Sequence, residues 1–370
     1  MLTLHRSALF MTLTRRISTL KTLLPALKSI HNDDKSAILA SNDTTADLTP
    51  YTIDWLNKYG FIPDTEEDGV LSLVVRPANV NSLAATLKLF NDENIKVIPQ
   101  GGNTSVAGGS VPLNKTTNEV IISTNRMNKI LKFDSRNHSI ELEAGVVLEN
   151  VQNFCESKGF LFPLDIGSKG SCQIGGLIAT NAGGSYFKRF GSISNNLLSM
   201  NCVLPSGECI RLGPLRDDIA KDNVGYSTGM RNMFIGSEGT LGIITSASFK
   251  LTKLPTSRQC ALVSCSSFAD IERVLLSCSE IVGRDLSAVE WIHRSAMKLL
   301  ERKGLTNKNV DETINSITNE DTESYILVES RGYDKDRDYL AMVRLTMNVF
   351  VLNIDRLVTP TQLLRHAFIY

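Results

Sequence analysis

A chain of 370 residues, 42% of them hydrophobic, is long enough for two or three domains with real cores. Its 39 basic and 39 acidic residues cancel, which removes the electrostatic argument for a nucleic-acid or acidic partner. The seven cysteines, at 155, 172, 202, 209, 260, 265 and 278, form no C-x-x-C and point to buried thiols in a reducing compartment, not to a disulfide framework or a zinc site. The most apolar stretch, Ala341 to Ile354, is broken by Arg344 and Asn348, so no transmembrane segment is expected.

The first thirty-two residues contain no acid and carry Arg6, Arg15, Arg16, Lys21 and Lys28 among Ser, Thr and Leu, the composition of a mitochondrial transit peptide. A polar stretch follows, and residues 1–48 together are expected to be transit peptide and linker. Val70 to Pro77 reads as a strand closed by proline. Asn79 is placed to cap an amphipathic helix over Val80 to Glu93. The strand Lys96 to Pro99 then delivers a loop, Pro99 to Ser110, with two glycine pairs and neither Lys nor Arg. Glycine allows close backbone approach, and successive inward N–H groups make a concavity suited to phosphate. The pattern predicts a β-α-β unit with a diphosphate cradle at its end.

Strands are expected at Glu119–Ser123 and Ser139–Ala144, and a helix over Leu148 to Lys158 that stops at Gly159. A second glycine region, Pro163 to Gly184, encloses the small apolar run Ile174 to Asn181, which reads as a short buried helix. Met200 to Leu212 reads as a hairpin turning at Pro205–Gly207. A third glycine region, Ile235 to Ile244, runs into an alternating strand ending at Leu251. Beyond Pro255 the glycines thin out. Helical patterns over Phe268–Val282, Ile292–Lys303 and from Asp334 alternate with strands at Ser287–Trp291 and Tyr325–Glu329, with a polar loop over Asn307–Glu323. This is a second, α+β domain.

The three glycine regions resemble the FAD-binding domain of the vanillyl-alcohol oxidase (PCMH) type, and most closely the FAD-linked D-2-hydroxyacid dehydrogenases, a family of D-2-hydroxyglutarate and D-lactate dehydrogenases. Four motifs carry the resemblance: Pro-Gln-Gly-Gly-Asn-Thr, Lys-Gly-Ser-Cys-x-Ile-Gly-Gly, Ala-Thr-Asn-Ala-Gly-Gly and Gly-Ser-Glu-Gly-Thr-Leu-Gly-Ile-Ile. It implies an α+β fold: a two-subdomain PCMH-type FAD-binding domain over 49–254, then an incomplete substrate (cap) domain over 255–348 and an anomalous tail over 349–370. It also implies that backbone amides of Gln100, Gly101, Gly102, Asn103, Thr104, Gly109 and Ser110 hold the diphosphate of FAD. Pro163, Leu164, Asp165, Ser171, Gly175, Gly176, Thr180, Asn181 and Gly183 would flank the flavin and ribityl. Glu238, Gly242, Ile243 and Ile244 would meet the adenine side.

The implied chemistry is hydride transfer from a D-2-hydroxy acid to flavin, with electrons passing to cytochrome c or an electron-transfer flavoprotein in the mitochondrial matrix or intermembrane space. The family's later His-x-Gly-Asp-Gly-Asn-x-His and Glu-His segments, which supply a divalent metal such as zinc and the base, have no counterpart here. No catalytic residue and no metal ligand is assigned. A C-terminally truncated chain is expected, with a catalytically inactive FAD-binding fragment as the alternative reading.

Other features compete. Gly225-Tyr-Ser-Thr-Gly229 matches the nucleophile elbow of serine hydrolases, with Ser227, Asp285 and His293 as its triad, although the charged residues before it do not read as the required strand. His293 is expected to cap or pack, and His138 to turn. Cys172 could join a flavin covalently but reads as a small packed residue. Lys188 and Arg189 could face phosphate or solvent. No dinucleotide fingerprint after a strand and no Walker motif occurs.

Overall fold

The computed structural model describes residues 20–41, 43, 46–61, 72–113, 119–213, 225–226, 228–303 and 314–349. Contacts divide the chain into two units. One comprises Met1–Phe154, Ser168–Ala182 and Leu197–Leu251; the other comprises Cys155–Gly167, Gly183–Asn196 and Thr252–Tyr370. The division is not a single cut near residue 254, because two segments of the glycine-rich half belong with the C-terminal residues.

The first unit begins with helix α1, residues 20–30. Leu20, Leu23 and Leu27 recur at helical spacing and are buried, while Lys21 and Lys28 face out. Strand β1 (Ile38–Ala40) pairs antiparallel with β2 (Leu73–Val75). Residues 20–30, expected to be transit peptide, form α1, and residues 38–40, expected to be linker, form β1; Leu20, Leu27 and Ala40 join the core with Leu73, Leu83 and Phe90. The transit-peptide composition of residues 1–19 lies outside the described residues.

Helix α2 (Thr49–Thr52) precedes β2, and α3 (Val80–Asp92) follows it. Asn79 caps α3 as expected, its side chain accepting a hydrogen bond from the Ser82 amide at 2.9 Å. The helix buries Leu83, Leu87 and Phe90 on one face, each worth about 1.5–3 kcal/mol of transfer free energy. Strand β3 (Lys96–Gln100) then carries the first glycine loop. Strand β4 (Glu119–Ser123) lies between β2 and β3, parallel to both, so the β-α-β unit is split by a third strand.

The second sheet has the order β10-β9-β8-β11-β6-β5. It contains β5 (Ile130–Asp134), β6 (Ser139–Glu143), β8 (Leu197–Val203), β9 (Cys209–Leu212), β10 (Gly225–Tyr226) and β11 (Ile243–Lys250). All its pairs are antiparallel except β10 with β9. The β8–β9 hairpin turns where expected, with Gly207 at φ 84°. His138 lies in the β5–β6 turn at φ 50°. Helix α4 (Leu148–Ser157) ends at Gly159, φ 78°. Helix α5 (Ile174–Ala179) is the short buried helix of the second glycine region, and α8 (Thr228–Phe234) follows β10.

In the second unit, β7 (Phe160–Leu161) pairs with β12 (Thr252–Lys253), and α6 (Phe187–Phe190) and α7 (Ile193–Asn196) are single turns. The main sheet is antiparallel, β13 (Ser257–Cys265), β15 (Ser324–Gly332) and β14 (Leu286–His293), in the order β13-β15-β14. Helix α9 (Phe268–Ser277) runs into a π-helical turn at Cys278–Val282 and a 3₁₀ turn at Gly283–Asp285, where one continuous helix was expected. Helix α10 (Arg294–Arg302) is capped by His293, whose Nδ1 accepts from the Ser295 amide. Residues 314–317 form a short helix, α11, inside the stretch expected to be loop. Helix α12 (Lys335–Val349) packs Met342 and Leu345 against Val263, Ile326 and Val328. Residues 350–370, the anomalous tail, lie outside the described residues.

Candidate functional site

The first glycine loop is held by its own polar side chains. Gln100, 2% exposed, donates from Nε2 to the carbonyls of Tyr51 (2.8 Å) and Ser110 (2.7 Å), joining the two ends of the loop. Asn103, at φ 49°, donates from Nδ2 to the carbonyls of Pro50 and Ile53 and accepts from Ser110 Oγ at 2.8 Å. These side chains are occupied in shaping the backbone. The peptide N–H groups of Gly101, Gly102, Asn103, Thr104, Ser105 and Val106 have no acceptor among the described residues. Residues 101–105 are half-buried and Val106 is exposed, so these amides are open to an acceptor from outside the protein, water or a bound ligand.

The second glycine region packs directly on this loop. A Cβ at Gly102 would lie 2.0 Å from the Ser171 carbonyl oxygen, so the contact is backbone against backbone and only glycine fits. A Cβ at Gly175 would lie 2.8 Å from that of Ala144. Thr124 Oγ1 donates to Gln173 Oε1 at 2.9 Å, linking the end of β4 to the residue before α5. Gly176 differs from these. It lies inside α5, where glycine costs about 1 kcal/mol relative to alanine. A Cβ there would meet nothing within 4 Å, although Gly101 stands opposite, its own Cβ position 3.6 Å from Gly176 Cα. No packing demand explains this glycine; it keeps space open beside the free amides.

The third region closes the same site. The amides of Gly236 and Glu238 donate to the carbonyls of Ile178 and Ala179 at the end of α5. Gly239, φ 79°, approaches Pro99 so closely that a Cβ would lie 2.8 Å from its ring. Glu238 Oε2 is 3.4 Å from the Cβ position of Gly109. Thr180 donates back to the Gly176 carbonyl, and Asn181 turns the chain at φ 48°. Ile243 and Ile244 are buried in β11, and Gly242 lies against the Val203 carbonyl. So Gln100–Ser110, Ser171–Asn181 and Glu238–Ile244 are brought together within one unit. Pro163, Leu164, Asp165 and Gly183 belong to the other unit. There Leu164 is buried, and a Cβ at Gly184 would lie 1.8 Å from the Asp165 carbonyl oxygen, which accepts from the Ser185 amide.

Thr124, Gln173 and the carbonyls of Pro50, Tyr51 and Ile53 are the contributors that sequence reasoning missed. Gln173 was findable, as a polar residue directly before an apolar helix. The carbonyls carry no sequence signal. Cys172 is 2% exposed and burial pushes its thiol up, which suits a packed residue.

Asp285 and His293 of the hydrolase triad have other partners than each other. Asp285 is held by Arg189 and Arg337, and His293 by Ser295. Ser227 lies outside the described residues, although the two-residue strand β10 and helix α8 do flank it. Arg189 faces neither phosphate nor solvent alone: it donates to the Arg331 carbonyl and to Ser287 Oγ (3.1 Å). Among the described residues no group of three or more His, Cys, Asp or Glu could hold a metal, so no step is assigned to a metal ion. No described helix is long and apolar enough to cross a membrane.

Residues 71–213 match the family model described as an FAD binding domain. By this match the chain is similar to FAD-binding domains over that stretch. It is 37% identical over 294 residues to the mitochondrial D-2-hydroxyglutarate dehydrogenase of Danio rerio, covering 79% of this chain and 50% of that protein. The mitochondrial D-2-hydroxyglutarate dehydrogenase of Arabidopsis thaliana is 35% identical over 321 residues, 85% of this chain and 53% of that one. A Schizosaccharomyces pombe protein bearing the name "Putative D-lactate dehydrogenase" is 36% identical over 314 residues, 84% of this chain and 55% of that one. The chain is thus similar to proteins named as D-2-hydroxyglutarate and D-lactate dehydrogenases, and it spans about half the length of the curated relatives it matches. The fold is also that of a solved alkyldihydroxyacetonephosphate synthase, with a TM-score of 0.65 at 20% identity over 86% of this chain and 57% of that one.

Proposed function

We propose that this chain is the FAD-binding part of a mitochondrial enzyme that oxidises a D-2-hydroxy acid, D-2-hydroxyglutarate or D-lactate, to the 2-oxo acid. The observation that carries the reading is the run of amides without an acceptor at Gly101–Val106, whose first residue, Gly101, stands against Gly176, inside the stretch that matches an FAD-binding domain. FAD supplies the hydride acceptor when bound. The protein's own part is to bind and orient. Amides of Gly101, Gly102, Asn103 and Thr104 would hold the diphosphate, since a preorganised N–H array can hold an anion without Lys or Arg. Gln100, Asn103 and Ser110 hold those amides in place. Gly109 and Ser171 let the backbone close around the cofactor. Gly175 allows α5 to seat against Ala144, and Gly176 leaves room along its exposed face. Thr180 and Asn181 would flank the flavin and ribityl, and Glu238, beside Gly109, would meet the adenine side.

The substrate class and compartment rest on the relatives, which are named as enzymes and as mitochondrial and favour a dehydrogenase over an inactive fragment. Electrons would leave to cytochrome c or an electron-transfer flavoprotein. The test is spectroscopic. Purified chain should be yellow, and under anaerobic conditions D-2-hydroxyglutarate or D-lactate should bleach the flavin band. A yellow protein that neither acid bleaches would remove the dehydrogenase reading and leave FAD binding. A preparation that stays colourless after refolding with FAD would contradict both.

A further inference from the structure

Helix α12 carries two apolar stripes where a surface helix has one. Met342 and Leu345 are buried against Val263, Ile326 and Val328 of the sheet, with Asp338 and Thr346 buried on the same side. Tyr339, Leu340, Val343 and Met347 recur at helical spacing on the side away from the sheet. Leu340 is 53% exposed and Met347 55%.

The outer stripe continues onto α9. Val274 and Cys278, from α9 and the turn that follows it, join the same core as Met342 and Leu345, so both helices cover one face of the sheet. Helix α9 leaves the sheet near the end where Cys265 pairs with Ser324. Helix α12 leaves it near the other end, where Gly332 pairs with Ser257. The two helices therefore run antiparallel. Ile281 and Val282, just past α9, line one cleft with Arg337 and Ala341 of α12, as this arrangement requires. Phe268 then lies toward Met347, and Leu275 and Leu276 toward Tyr339 and Leu340. All six of these large apolar side chains are exposed. At roughly 100 Å² apiece they would remove about 1,200 Å² from solvent in two copies together, the lower bound of stable interfaces.

The charges say what covers this face. Asp336, Leu340 and Arg344 follow one another at four-residue steps and form a single row along α12, the kind of ridge by which helices pack. Asp336 and Arg344 are exposed, and neither side chain has an ion-pair partner among the described residues. The row is symmetric about Leu340 and opposite in charge at its two ends. A two-fold axis at Leu340 lays a second α12 antiparallel on the first and sets Asp336 of each copy beside Arg344 of the other. Two-fold contacts are self-complementary in this way. On α9 the exposed Glu272 and Arg273 also offset each other. A face balanced like this exerts no pull on nucleic acid or on an anionic membrane.

We propose that this chain forms a two-fold dimer in which α12 packs antiparallel on α12 of a second copy about an axis at Leu340. Asp336 and Arg344 pair across the axis twice, and Tyr339, Met347, Leu275 and Leu276 close around them. The dimer is separate from the flavin reading and stands or falls without it.

The test is sedimentation equilibrium of the purified full chain over a range of concentrations. At about 100 μM the chain should sediment at twice its own mass. Leu340→Glu puts a charge on the axis and should weaken the dimer at least roughly tenfold. Asp336→Arg replaces two attractions with two repulsions and should weaken it by roughly tenfold. Adding Arg344→Asp to Asp336→Arg restores opposite charges across the axis and should return the dissociation constant to within about threefold of the starting value. Melting curves at dilution would show that each variant folds. A chain that stays monomeric at about 100 μM would overturn the proposal and leave the face to a different partner. A dimer indifferent to Leu340→Glu would also overturn it. Failure of the charge exchange to rescue Asp336→Arg would overturn the antiparallel arrangement about Leu340.

Discussion

The glycine loop after β3 and the β13-β15-β14 sheet spend their polar groups in opposite ways. In the loop, the side chains of Gln100, Asn103 and Ser110 hydrogen-bond to the chain itself and six consecutive amides are left free. In the sheet, β13 and β15 pair in register from Ser257↔Gly332 to Cys265↔Ser324, so the backbone is used up and charged side chains remain. Those charges pair within the protein: Glu329, 4% exposed, is shared by Arg258 and Arg331, and Arg331 stacks on Tyr186 with 4.5 Å between guanidinium and ring centroid. Free amides in a rigid loop make a site for an external anion. A saturated ion-pair network makes a core.

The strongest way to break this contrast is Gly102→Ala. Its Cβ would be forced to 2.0 Å from the Ser171 carbonyl, and neither backbone can yield cheaply. We expect a loss of roughly 3 kcal/mol or more in unfolding free energy together with loss of flavin, measured by denaturant titration and absorbance. On the other side of the comparison, Glu329→Ala should leave two arginines unpaired. Because Arg258 is partly exposed, the expected cost is about 2–3 kcal/mol, less than for a fully buried pair. Its flavin content should be unchanged.

A smaller effect concerns acid. His31 is buried, its Nε2 lies 3.0 Å from Thr86 Oγ1, and burial, with Arg126 next, holds its pKa below the usual imidazole value. The unfolded chain therefore takes up this proton at a higher pH than the folded one. Stability should be level above about pH 6.5 and fall as the pH drops below it, and His31→Gln should flatten that slope. The smallest effect belongs to an exposed pair: Lys88→Ala removes the ion pair with Asp92 (3.0 Å) and should cost no more than about 0.5 kcal/mol.

Much of this was legible in the sequence, and the failures have physical causes. The Asn79 cap, α3, the Gly207 turn and the short helix α5 were readable because each rests on a local rule. Residues 20–30 were read as leader, not as α1, because Leu20, Leu23 and Leu27 with Lys21 and Lys28 make the same amphipathic pattern in a leader as in a core helix. Strand β5 escaped because Ile130–Asp134 lies at the sheet edge, with little burial to impose alternation. The motifs marked the loops that the fold brings together within the first unit. They did not reveal that Gln100 and Asn103 serve the loop itself, because side-chain direction depends on contacts with Pro50, Tyr51 and Ile53, some fifty positions away. The role of Gly176 was also hidden: sequence marks a glycine, and only the fold shows that nothing in the protein needs it.

Gly176→Leu puts the central claim to its most direct test. Leucine is a better helix former than glycine, and its Cβ meets open space in the protein alone. The apoprotein should melt at the same temperature or higher, while FAD affinity, followed by fluorescence quenching of added FAD, should fall by roughly tenfold or more (about 1.4 kcal/mol). An apoprotein equally stable and FAD binding undiminished would contradict the account, because the space beside Gly101 would then not be where the cofactor lies.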